Sequence, residues 1–349
     1  ECAHMKLKVL PPSINSSMYP FTVSDDSTII YGLGAIKGVG ENAIDCITEE
    51  RAHQGTYSDL FSFCQRLDLR KVNRRVLEAL IKSGGFDDWA IERAVLTASL
   101  EKALKVAEKE HQNQSSGQFD LFSLLEDDAN EQDYIPAKPW SEAQRLDGER
   151  EVLGFYLTGH PADQYRREFG DFIVPISQLN PSMHKKANIC AQVTAVRKII
   201  TKRGKKLVII GMDDSTTRMD VVVFGEVFDL FNEPLASGNM LVIEGEVAND
   251  DYNGGVKMTA IQLYNIPAAR TRFARCMELK LNQASQSVLP SLQSLLKAHT
   301  GRCVVQFSYA NEHARAHLSL AQQWHVTPTD ELIGLLINVL GEEQVVMRY

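Results

Sequence analysis

The sequence contains no Cys-x-x-Cys pair, no Asp-x-Asp and no run of eighteen apolar residues. Each absence closes off a class of function. The six cysteines (Cys2, Cys46, Cys64, Cys190, Cys276 and Cys303) stand singly, so they read as reduced, mostly buried thiols that offer neither a zinc site nor a redox pair. With no long apolar run and no signal-peptide pattern at its start, the chain is expected to be cytoplasmic, with no membrane partner. Two-metal nucleotidyl transfer needs converging carboxylates. The paired acids here (Asp25-Asp26, Asp87-Asp88, Asp127-Asp128, Asp213-Asp214, Asp250-Asp251) sit in turn or linker contexts, so no catalytic residue, metal ligand or cofactor is expected. Aromatic residues make up 8% of the chain, with three tryptophans, which restricts any stacking surface to a few positions. Positive charge is the minority: 37 lysines and arginines face 45 acids, for a net charge of -8. A molecule with that balance repels nucleic acid as a whole, so such contact has to come from local basic patches, at 66–75 and 197–206.

What is present suggests several domains, since 349 residues with 44% hydrophobic content suffice for two or three cores. Val9-Leu10-Pro11-Pro12 forces an extended start. In Lys37-Gly38-Val39-Gly40 a glycine pair is followed at once by a helical apolar pattern (Ala43, Ile44, Ile47), the arrangement of a helix-hairpin-helix. Glycine lets such a turn tighten and approach a phosphate, which then faces the first amides of the next helix. Residues 72–82 repeat helical spacing and end in Ser83-Gly84-Gly85, a second, degenerate hairpin with Arg66, Arg70, Lys71, Arg74 and Arg75 around its start. A long helix over 92–111, with Leu96, Leu100, Ala103 and Ala107 on one face, leads to a polar segment that carries Gln118-Phe119-Asp120-Leu121-Phe122 ahead of the acids Glu126-Asp127-Asp128. Two aromatics and a leucine on a polar tether form an apolar plug for a partner's pocket, unless Leu121 and Phe122 fold back onto the helix. His160, Asp147 and Glu149 lack partners at ligand or triad spacing and read as structural.

From 187 to 266 the periodicity changes to two. Five strands (around 189–195, 207–211, 219–223, 241–245 and 256–260), with a helical turn at 227–231, match an OB barrel. Its first loop holds Arg197, Lys198, Lys202, Arg203, Lys205 and Lys206 without an acid among them, and Phe224 and Tyr252 are its candidate stacking residues. Residues 270–349 read as strand, helix, strand, strand, helix, strand, a small α+β domain without visible chemistry; the tail at 344–349 completes a strand.

Taken together, Val9-Leu10-Pro11-Pro12-Ser13-Ile14-Asn15, Ala35-Ile36-Lys37-Gly38-Val39-Gly40, Asn73-Arg74-Arg75-Val76-Leu77-Glu78, Asp147-Gly148-Glu149-Arg150-Glu151 and Thr158-Gly159-His160-Pro161 resemble the C-terminal region of the alpha subunit of bacterial DNA polymerase III, along essentially the whole chain. Ser13, where aspartate is usual, and Gly85, where alanine is common, are departures outside the proposed sites. The resemblance implies a multidomain α+β chain. Residues 1–20 would end a preceding fingers domain and 21–172 would form a helix-hairpin-helix and clamp-binding domain. An OB fold would span 173–268, and 269–349 would bind the tau subunit of the clamp loader. It further implies that Gln118, Phe119, Asp120, Leu121 and Phe122 bind the sliding clamp, that Lys37, Gly38, Val39, Gly40, Arg70, Lys71, Arg74 and Arg75 hold duplex DNA, and that the barrel contacts single-stranded template. Magnesium and polymerisation would belong to a palm domain this sequence does not contain. A fragment of an NAD-dependent DNA ligase would need a Lys-x-Asp-Gly nucleophile or a four-cysteine zinc site, and neither is present. A scaffold that binds only proteins is the other alternative, and salt-dependent DNA binding separates it.

Overall fold

Three helices in the first part of the chain begin where a side chain caps them. The computed structural model describes residues 5, 7–116, 133–200, 204, 206–231, 234–250, 254–310 and 315–349, which divide into two units, Glu1–Gly159 and His160–Tyr349. The first unit opens with β1 (Lys8–Leu10), β2 (Thr22–Asp25) and β3 (Thr28–Ile30), a small sheet in the order β1-β3-β2 that the sequence reading did not foresee. Its strands are three or four residues long, too short for alternation to stand out. Five helices follow: α1 (Glu41–Gln54), α2 (Leu60–Arg66), α3 (Arg74–Ser83), α4 (Arg93–Ser116) and α5 (Glu142–Leu153). The Asp59 carboxylate caps α2, the Asn73 side chain caps α3, and Ser141 and Gln144 close a capping box on α5. Each supplies an acceptor to amides that have no partner inside the helix. Gly84 ends α3 at φ +83°, in the left-handed region.

The expected stripe of α4 is buried: Leu96, Leu100, Ala103 and Ala107 join Ile44 and Ile47 of α1, Phe61 and Phe63 of α2, and Leu77 and Leu80 of α3 in one cluster. Burying a side chain of this size stabilises by roughly 1.5–3 kcal/mol, so short helices such as α2 are held by this common core rather than by their own propensity. Glu149 is fully buried. Its carboxylate accepts from Arg93 at 3.2 Å, from the amides of Leu157 and Thr158 at 2.9 and 3.0 Å, and from the Thr158 hydroxyl at 2.6 Å. It therefore pins the 154–159 segment to α4, a structural role.

The second unit starts with α6 (Pro161–Phe169) and continues with β4 (Lys186–Ile200), β5 (Lys206–Asp213), β6 (Arg218–Phe224), α7 (Gly225–Leu230), β7 (Met240–Asn249) and β8 (Val256–Asn265). The five strands close into a barrel of order β4-β5-β6-β8-β7, the OB architecture, with α7 between the third and fourth strands. Alternate residues point inward: Ile189, Ala191, Val208, Ile210, Val221, Val223, Ile243 and Met258 fill the interior. Truncating one of them, such as Ile210→Ala, costs about 2–5 kcal/mol.

Then come α8 (Ile266–Phe273), β9 (Cys276–Leu281), α9 (Leu289–Ala298), β10 (Thr300–Ala310), β11 (Arg315–Ser319), α10 (Asp330–Leu340) and β12 (Val345–Arg348). They form the expected α+β domain on a sheet of order β11-β10-β9-β12. The tail does complete a strand, with Val346 opposite Glu278 and Met347 opposite Met277.

The sequence reading placed boundaries at 172/173 and 268/269, whereas the two units meet between 159 and 160. Helix α6, expected with the hairpins, belongs to the second unit. Its Phe169 packs with Val242 of β7 and Ile266 of α8, and its Glu168 takes both ends of the Arg270 guanidinium at 2.7 Å. Arg270, 2% exposed, also donates to Asp330 of α10 at 2.7 Å. A single buried cation thus joins α6, α8 and α10, a link between residues about a hundred positions apart that no periodicity could reveal.

Candidate nucleic-acid interface

At the first hairpin, Leu33–Ala35 forms one 3-10 turn where a first helix was expected, followed by the Lys37-Gly38-Val39-Gly40 turn and then α1. Gly38 holds φ at +89°, a conformation that side chains resist. Gly40 is extended (φ -84°) and a Cβ there would meet nothing within 4 Å. Packing therefore does not demand glycine at 40; what glycine leaves is open space before the first amides of α1. No side chain caps that helix, so the helix start keeps its attraction for an anion. Glu41 in the first turn opposes it. The turn is fixed from behind: the Lys37 amide donates to the Val152 carbonyl at 2.8 Å, and Val39 is buried.

The second hairpin was read from the helix at 72–82 and Ser83-Gly84-Gly85; that helix is α3, ended by Gly84, and the turn at 67–73 joins it to α2. A Cβ at Gly38 would lie 4.0 Å from Ala79 of α3. Arg75 is one turn before Ala79 on the same helix face, so the structure brings the glycine turn and the start of α3 onto one surface. Lys37 and Arg75 are exposed there, and Lys71 is exposed in the turn before α3. Arg70 and Arg74 are exposed but paired, with Asp68 at 3.0 Å and Glu78 at 2.8 Å. Arg66 is not part of this patch. It stacks over the Tyr57 ring at 4.2 Å and donates to the Gly55 carbonyl at 2.8 Å, which makes it an internal brace.

On the barrel, Arg197, Lys198, Lys206 and Phe224 are described, while Lys202, Arg203, Lys205 and Tyr252 lie outside the described residues. Arg197 is bound to Asp220 of β6. Lys206 approaches Asp229 of α7 at 3.9 Å, and Lys198 sits 5.2 Å from the centre of the Phe228 ring. Strand register lines up Ile199, Leu207 and Phe224 across β4, β5 and β6 on the outer face. Phe224 is 50% exposed and Ile200, at the mouth of the loop, 77%. An apolar row beside a basic loop can receive bases while the cations hold phosphates. Ile199 and Ile200 were missed by sequence reasoning; two consecutive exposed isoleucines at the end of an alternating strand were the available signal. The Gln118, Phe119, Asp120, Leu121, Phe122 motif also lies outside the described residues.

His160 caps α6: its Nδ1 accepts from the Ala162 amide at 3.1 Å, which leaves the proton on Nε2, 3.5 Å from Asp213. Burial lowers its pKa below the ordinary histidine value, although Asp213, Asp163 and Asp214 pull the other way. Among the described residues no group of three or more His, Cys, Asp or Glu side chains is placed to hold a metal ion, and no helix is long and apolar enough to cross a membrane.

Comparison with known families adds to this geometry. Residues 6–96 match the helix-hairpin-helix motif, 187–266 the OB-fold nucleic acid binding domain, and 291–341 the C-terminal domain of DNA polymerase III subunit alpha. A part of the chain is similar to the second OB-fold domain of replication protein A from Methanococcus maripaludis, with 21% identity, 27% of this chain and 93% of that chain covered, and a TM-score of 0.22. DNA polymerase III subunit alpha from Vibrio cholerae serotype O1 is 40% identical over 356 residues, and that from Escherichia coli strain K12 is 41% identical over 357. Both alignments take in 100% of this chain, which spans 31% of either relative. From end to end the chain thus matches the C-terminal part, about 31%, of DNA polymerase III alpha subunits.

Proposed function

We propose that this chain holds DNA and partner proteins for a replicative polymerase, in the cytoplasm, and does not itself polymerise. The glycine turn and the start of α3 grip the duplex without reading its sequence, because the groups they offer are amides and cations directed at phosphate. The barrel captures single-stranded template on the Ile199, Leu207, Phe224 row and its basic loop. The observation that carries the reading is the uncapped start of α1 behind open space at Gly40, beside the face of α3 that carries Ala79 and, one turn earlier, Arg75. Gln118, Phe119, Asp120, Leu121 and Phe122 anchor the sliding clamp, and the β9 to β12 domain carries the contact with the clamp-loader tau subunit. The missing Asp-x-Asp supports the absence of nucleotidyl transfer. The test is binding of a duplex with a single-stranded overhang as salt is raised. The expected result is a steep linear fall of log affinity with log salt; no salt-dependent binding would make the chain a protein-only scaffold. For the clamp, Leu121→Ala with Phe122→Ala is expected to lower affinity at least about 100-fold, since two apolar side chains lose roughly 1.5–3 kcal/mol of burial each. A greater loss on changing Gln344 and Tyr349 would move the anchor to the tail.

A further inference from the structure

A cleft of about 540 Å³ opens beside α8, lined by Asn265, Pro267, Ala268, Thr271, Arg272 and Arg302. Two arginines line it and no acidic residue does. Arg166, Arg197, Arg218, Arg270 and Arg348 of the same unit are each bound to an acid. Arg272 and Arg302 are exposed and make no ion pair among the described residues. Two positive groups turned into one cleft without an acid repel each other until an anion enters. The cleft is rigid on its inner side. Arg270, two residues before Arg272 and so about 200° around the helix, is buried against Glu168 and Asp330, while Ile266 and Ala269 pack with Val242 of β7 and Tyr264 of β8. Arg272 is therefore held outward on a helix fastened to the barrel, and Arg302 at the start of β10 lines the same cleft.

We infer that this cleft is a phosphate subsite for a nucleic-acid strand that runs off the barrel onto the C-terminal domain. The inference rests on the single-strand reading of the barrel. The lining has no aromatic ring on which a base could stack, so the group bound is the sugar-phosphate backbone, independent of sequence. A free polyphosphate carries the same chemistry, and the experiment separates the two.

The experiment measures binding of fluorescent oligothymidylates of about 10 and about 30 nucleotides to the full chain; the shorter stays within one barrel's site size. Replacing both arginines (Arg272→Gln with Arg302→Gln) is expected to flatten the salt slope for the longer strand by about 1.4, two contacts at about 0.7 each, which is about 25-fold in affinity at about 0.1 M salt. The short strand keeps its affinity, and the double lysine variant keeps most of the slope. If the long strand binds the glutamine variant as tightly as the unchanged chain, the inference falls while the barrel reading stands. Equal loss for both lengths would merge the cleft with the barrel's own footprint and also overturn it. If the unchanged chain binds neither strand, the barrel reading falls too. A thermal shift with inorganic pyrophosphate, abolished by the double change but unaccompanied by any strand effect, would assign the cleft to free polyphosphate.

Discussion

In the proposed reading the first hairpin and the barrel address phosphate with different parts of the chain. At the hairpin the attracting groups are backbone amides at the start of α1, held by Gly38 at φ +89° and by the Lys37 amide on Val152. On the barrel they are side chains, and the three described ones already have companions: Arg197 with Asp220, Lys206 with Asp229, Lys198 with the Phe228 ring. Amides fixed in a turn cannot be neutralised by a neighbour's rotation. An exposed cation can, and an exposed ion pair contributes only about 0–1 kcal/mol, so it is readily given up when a phosphate arrives. On that reading the hairpin is a preset site and the barrel an adjustable one.

The largest effect expected comes from breaking the preset site. Gly38→Val with Gly40→Val places a β-branched residue at a positive φ, a cost of roughly 1–3 kcal/mol, and fills the space before the amides. Duplex affinity is expected to fall at least about 100-fold, with single-strand affinity unchanged, as read by fluorescence anisotropy on both ligands. Unchanged duplex binding would remove the hairpin from the interface. Next, Phe224→Ala deletes a half-exposed ring from the outer row of the barrel. Base stacking on an aromatic is worth roughly 1–3 kcal/mol, so single-strand affinity should drop about 10-fold while the melting temperature barely moves. A drop in duplex binding alone would invert the comparison.

A gain of function sharpens it further. Asp220→Asn with Asp229→Asn releases Arg197 and Lys206 and removes two negative charges, so single-strand binding is expected to tighten several-fold, with a steeper salt slope by up to about 1.4. The equivalent release at the second hairpin, Asp68→Asn with Glu78→Gln, is expected to change duplex binding less, because the preset amides carry the larger share. Equal gains would show that both sites rely on side chains.

The smallest effect concerns pH. Burial holds the folded His160 pKa below its ordinary value near 6.5. The unfolded chain therefore binds the proton first, and stability is complete above about pH 6.5 and falls as pH drops below it. Protonation also places a hydrogen on the Nδ1 that accepts from Ala162. Amide-exchange protection in the first turn of α6 is expected to weaken on acidification, and His160→Asn, which caps without titrating, should flatten that dependence. The hairpin turn of residues 37–40 carries no histidine or carboxylate and should show no such change.

Where function depends on local backbone or on periodicity, the sequence was informative. Gly38 stood out because a tight turn into a helix requires a residue that accepts a positive φ, and the barrel stood out because an interior on one side enforces a period of two over five strands. The small β1 to β3 sheet was not legible, its strands being too short to show a pattern. The positive residues were legible as charge but not as availability: Arg66 turned inward to Tyr57 and Gly55, and Arg197 met Asp220 across two strand pairings.

By itself, then, the chain's order of residues determined the sequence of elements, the turn glycines and the inward faces of the barrel, because these depend on neighbours a few positions apart. Only the tertiary structure decided which of the described cations pair with acids, which unit α6 joins, and that Arg270 with Glu168 and Asp330 joins α6, α8 and α10. A salt bridge forms between groups that folding brings within about 4 Å, and that distance is set by the packing of whole elements rather than by spacing along the chain.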